Sequence, residues 1–140
     1  MKKIIITRRL LKESEEKALK TFDAKLNGND ELYSQSKLIE LSEGHDAILT
    51  SLTDKMDEEI INKLPNSVKV ISNFAVGFGN IDLEAAKKRE IAVTNTPDVL
   101  SDATAEIGIL LILGACRRAP EGIQSAKESN WKWSADFLIG

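Results

Sequence analysis

The chain has 140 residues, 42% of them hydrophobic and 29% charged, enough for one ordinary domain with a proper core, alone or with an appendage. Its net charge of -3 comes from interspersed signs rather than one block, which argues against nucleic acid or an acidic membrane as the main partner. One cysteine excludes an internal disulfide, and one histidine excludes a multi-histidine metal site.

The amino terminus, MKKIIITRR, holds too short an apolar core for a secretory signal. The most apolar run, Ile107 to Cys116, is shorter than the about 20 residues that span a bilayer. A soluble, cytoplasmic chain without membrane contact is expected.

Short apolar runs then alternate with amphipathic stretches. KIIIT from Lys3 reads as a buried strand. ESEEKALKTF places acids first and lysines later, as a helix dipole favours. DAKLNG is a weak strand and SQSKLIELSE a helix. DAILTS from Asp46 is a strand, and DEEIINKLP is a helix stopped at Pro65. VKVISNF, DLEAAKKRE and IAVTN complete the series as strand, helix and strand. His45, ahead of the third strand, reads as structural or solvated.

Five strands with helices between them predict a flavodoxin-like, doubly wound parallel sheet covered on both faces. Ligands of such sheets bind beyond the carboxyl ends of the strands, so the loops after Thr7, Ser51, Asn73 and Asn95 are the candidates.

After Pro97 the pattern changes. We divide the chain into residues 1–97, the sheet, and 98–140, a long apolar helix and a C-terminal tail. Ser101 reads as a cap for a helix running to Arg118. Ile107, Ile109, Leu110, Leu111, Ile112 and Leu113 surround that helix; such a helix is normally buried on all sides, the sheet can cover one of them, and the remaining cover is expected from a partner or a further part of the protein, while Cys116 reads as a buried small side chain. Pro120 suits the first turn of a further helix. Trp131 and Trp133 stand in the tail.

The stretch NFAVGFGNID, Asn73 to Asp82, is the point of most interest. Strand, turn and helix with Gly77 and Gly79 resemble a dinucleotide loop. Against that, Asp82 stands where the third glycine belongs, and IAVTN has no acid at its tip. An anion nest is the alternative: glycines let successive amides point into one concavity that suits a small carboxylate. A tight turn with glycines needed only for geometry is the plain reading.

Taken together, AVGFGNID, NTPDVLSDATAE and NWKWSADFLIG resemble the D-isomer-specific 2-hydroxyacid dehydrogenases, in the glyoxylate/hydroxypyruvate reductase and D-glycerate dehydrogenase branch. The resemblance covers the chain from Met1 and concerns the amino-terminal part of that family. It implies that the sheet is a substrate domain and that residues 98–140 begin a nucleotide-binding domain. It implies that the backbone at Ala75, Val76 and Gly77 binds the carboxylate of a small 2-oxo or 2-hydroxy acid. It also places Leu52, and with it Ser51, in the substrate site. Thr104 and Val99 would face the cofactor, NAD or NADP. Trp133 would reach the other subunit's site or pack in the interface. Where Gly79 stands, the family commonly carries an acid.

The same resemblance implies an arginine, a histidine–glutamate pair and a glycine fingerprint in a nucleotide-binding domain, and no residue here matches them. No catalytic residue is therefore assigned, no tight cofactor binding is expected, and the chain by itself is expected to be inactive. A homodimer through residues 101–118 is expected. The alternative is a non-catalytic module that binds small carboxylates or dimerises.

Overall fold

The computed structural model describes residues 1–128; Trp131 and Trp133 lie outside the described residues. Two compact units divide the chain, Met1–Asp98 and Val99–Gly140.

The first unit is a five-stranded parallel sheet of β1 (Lys3–Ile6), β2 (Asp23–Lys25), β3 (Ala47–Ser51), β4 (Val70–Phe74) and β5 (Ala92–Thr94). The strand order is β2-β1-β3-β4-β5, the order of flavodoxin-like doubly wound sheets. Helices α1 (Lys12–Thr21), α2 (Gln35–Ser42), α3 (Glu58–Lys63) and α4 (Leu83–Lys88) make the crossovers. Three of these helices start at a side-chain cap. Ser34, Asp57 and Asp82 cap α2, α3 and α4, each side chain accepting from the amide three residues on. The α3 carbonyls are closed by Arg89, whose guanidinium donates to Ile61 O (3.1 Å), Asn62 O (2.6 Å) and Leu64 O (2.8 Å).

The core joins Ile48 and Ile71 of the central strands to Leu38, Ile60, Ile61, Ala85 and Ala86 of α2, α3 and α4. Burying one such isoleucine contributes about 1.5–3 kcal/mol. Cover of both faces was expected, and only this face has it in full. Helix α1 buries none of its residues and packs against β2 at the edge. On that side the sheet carries an open trough of about 370 Å³, lined by Ile4, Phe22, Leu49 and Val70.

The second unit contains α5 (Ser101–Cys116) and α6 (Ala119–Lys127). Ser101 is the first residue of α5 rather than its cap, and no side chain caps that end. Pro120 does lie in the first turn of α6. None of the α5 residues is buried, and Ile107 to Leu113 keep their apolar side chains exposed apart from the glycine among them, so the cover such a helix calls for is not supplied within the described residues. Cys116, expected to be buried, is exposed on the same helix. Among the described residues, no helix is long and apolar enough to cross a membrane.

One consequence concerns acid. The Lys55 ammonium and the Ile60 amide hold the Asp57 carboxyl down, from 3.8 to about 2. A depressed carboxyl contributes stability that is present above its unfolded value and is lost as pH falls from about 4 to about 2. Asp57→Asn should therefore lose less stability than the wild type between about pH 5 and pH 2. Denaturant midpoints at both ends of that range measure it, and equal losses would refute the assignment.

Candidate functional site

All strands run parallel, so the loops after β1, β3, β4 and β5 emerge at one end of the sheet. Thr50 pairs with Asn73 and Ser51 with Phe74, which sets the β3 and β4 loops side by side. Leu52 and the Ala75–Gly77 segment thus belong to neighbouring loops at that end. Leu52 is 66% exposed, Val76 is 37% exposed and Ala75 is buried.

The Ala75–Gly77 backbone is held by its carbonyls. Thr96 N donates to Ala75 O (2.9 Å), Asn95 Nδ2 to Val76 O (2.7 Å) and Asn73 Nδ2 to Gly77 O (2.9 Å). The Ala75 amide donates to Asn73 O (2.8 Å). The amides of Val76 and Gly77 make no hydrogen bond among the described residues. Two backbone donors therefore stand open on a segment whose acceptors are all engaged, which is a chemistry suited to an anion.

The glycines act differently from the expected nest. Neither Gly77 nor Gly79 has a positive φ; Gly44 is the one described glycine that does. The αR-αL form of a nest needs a left-handed residue, and these glycines do not supply one. A Cβ built at Gly77 or Gly79 meets nothing within 4 Å. What the glycines provide is open space beside the free amides.

The dinucleotide reading fails on the same geometry. The Asp82 carboxylate accepts from Ala85 N at 2.9 Å and so occupies the N-terminus of α4. That end is where a pyrophosphate would sit, and a carboxylate there repels it. The residues of this loop do not fit a dinucleotide.

A polar network lies beneath both loops, and motif reading missed it. Asp54 Oδ2 accepts from Thr7 Oγ1 (2.6 Å) and Ser51 N (2.8 Å). Asn80 Nδ2 donates to Ser51 O and Asp54 O, both at 3.0 Å. Arg8 reaches Thr53 Oγ1 (2.7 Å) and pairs with Asp30 at 2.8 Å. The Arg8 side chain and the Arg9 amide keep the Asp30 carboxyl well below the usual carboxylate range, and Asp30 in turn raises the Arg8 guanidinium. A polar residue ending an apolar strand run, as Asn73 ends VISN, was the available signal.

The other nominated residues are placed as follows. Thr104 and Val99 are exposed in the second unit, Thr104 on α5 with its amide bonded to Leu100 O. Trp133 lies outside the described residues. His45 precedes β3, at the opposite end of the sheet from the loops, with Nδ1 3.0 Å from Glu43 O.

Comparison with known proteins gives the lineage. The family model for the catalytic domain of D-isomer-specific 2-hydroxyacid dehydrogenases matches residues 4–131. A glycerate dehydrogenase of Hyphomicrobium methylovorum is 38% identical over 140 residues, which are 99% of this chain and 44% of that protein. The solved structure of a glyoxylate reductase from Paecilomyes thermophila is 29% identical with a TM-score of 0.77, over 93% of this chain and 42% of that one. That of an NADPH-dependent glyoxylate/hydroxypyruvate reductase from Sinorhizobium meliloti, in complex with citrate, is 25% identical with a TM-score of 0.76, over 94% and 43%. The chain spans less than half the length of these relatives. With its sheet order, its loop pair and a family match over nearly all its residues, the chain belongs to the D-isomer-specific 2-hydroxyacid dehydrogenases.

Proposed function

We propose that this chain is the substrate-binding portion of an NAD(P)-dependent D-2-hydroxyacid dehydrogenase that reduces small 2-oxo acids such as glyoxylate or hydroxypyruvate. The observation that carries the reading is the Ala75–Gly77 segment, with its carbonyls tied down and the Val76 and Gly77 amides open. A carboxylate accepts from such donors, and charged hydrogen bonds are worth about 1.5–3 kcal/mol each. Leu52, exposed on the adjacent loop, supplies an apolar wall against the remainder of the ligand. The Sinorhizobium relative's complex with citrate, itself a carboxylate, supports this ligand class.

In the proposed reaction a nicotinamide supplies the hydride, and this chain's part is to bind and orient the acid. Thr104 and Val99 are proposed to face the cofactor in a longer relative. For this chain alone we propose no turnover, since its relatives are more than twice as long. We also propose self-association through α5, where Ile109, Leu110, Ile112 and Leu113 are each more than half exposed. Apolar exposure on that scale is large against a domain's total stability of about 5–15 kcal/mol.

Three measurements test these statements. The purified 140-residue chain should show no reduction of glyoxylate or hydroxypyruvate with NADH or NADPH beyond a buffer control; turnover in a sample free of host reductases would overturn the inactivity. Oxalate titration should shift the Val76 and Gly77 amides, and Gly77→Ala should weaken binding about tenfold without lowering thermal stability, because the Cβ enters open space. Shifts confined to another face would sink the site. Sedimentation at micromolar concentration should show a dimer that Leu110→Glu with Leu113→Glu dissociates; a monomeric wild type would refute association.

A further inference from the structure

We infer that Asn80 is a positioning residue that locks the Leu52 loop and the Ala75–Gly77 loop into one unit, so that carboxylate donors and apolar wall keep a fixed spacing. This rests on the reading that those two loops hold the substrate.

The orientation of the Asn80 amide follows from its neighbours. Both groups at 3.0 Å from Nδ2 are main-chain carbonyls, Ser51 O and Asp54 O, so the donor must point at them. Oδ1 then accepts from Asn73 Nδ2 at 3.0 Å. The other Asn73 hydrogen goes to Gly77 O, and Asn73 Oδ1 accepts from Thr50 Oγ1 at 3.1 Å. Every donor meets an acceptor, and the chain of bonds runs unbroken from the Leu52 loop to Gly77. Asn80 occupies its middle. Its side chain grips the first loop from both sides of Leu52, on Ser51 and on Asp54.

The main chain forms a second, independent connection. Met56 N donates to Asn80 O and Asp82 N to Met56 O, both at 2.8 Å. That pairing survives removal of the Asn80 side chain. Asn80→Ala should therefore fold, with the effect confined to the loop tips.

Amide hydrogen exchange on the whole chain reads the coupling. In Asn80→Ala the Ser51 and Asp54 amides and the Ala75 amide should exchange together, about tenfold faster than in the wild type, while Ile71 in β4 is unchanged. Oxalate affinity should fall by a similar factor. Acceleration at Ala75 with Ser51 and Asp54 unmoved would overturn the inference. If the wild type binds no oxalate, the substrate reading fails, and exchange alone decides whether Asn80 couples the loops. Should the alanine variant not fold, Asn80→Asp keeps the shape and removes the donor. Unfolding of that variant as well would place Asn80 in global stability and overturn its positioning role.

Discussion

The parallel pairing of β3 with β4 is the constraint on which the site depends. Its register sets Thr50 opposite Asn73, and both residues are buried. A buried amide and hydroxyl are costly unless satisfied, and the 3.1 Å bond between them satisfies both at once. A slip of β4 by one residue would turn Ile71 away from the core and leave the polar pair unmatched. Because this register holds, the two strands end level and their loops leave side by side.

From that level the site is built of backbone rather than charge. Asn73, Asn80 and Asn95 spend their amides on main-chain carbonyls, which fixes the path of the β4 loop. Arg8, which reaches the β3 loop at Thr53, is engaged by Asp30 and Thr53 and so serves as a fastening. On the Ala75–Gly77 segment the donors left open are the Val76 and Gly77 amides, whose position is set by the fold and whose charge does not change with pH. An arrangement of this kind can hold a carboxylate in a fixed orientation and carries no group of its own that would move a proton or a hydride.

Each unit also presents apolar surface of its own. In the sheet unit the trough beside Phe22 and Val70 lies on the face that the main core does not use. In the second unit α5 is apolar around its circumference and buries none of its residues. Parallel sheets have both faces covered as a rule, and helices apolar all round are interior elements. The relatives matched by this chain are more than twice its length.

The strands and helices of the first unit were legible in the residues alone. Alternation of apolar runs with amphipathic stretches is local information, and it marks every strand and helix of that unit to within a few residues. Residue identity also marked NFAVGFGNID as unusual and disfavoured a dinucleotide there through Asp82. Tertiary structure alone decided what holds the loop. Thr7 lies 47 residues from Asp54, and Asn80 lies 29 from Ser51, separations over which no periodicity carries information. It decided too that Gly77 and Gly79 supply space rather than left-handed backbone, because a dihedral depends on where the chain must go next. And it left α5 exposed, since whether an apolar helix is buried depends on the surfaces that surround it and not on the helix.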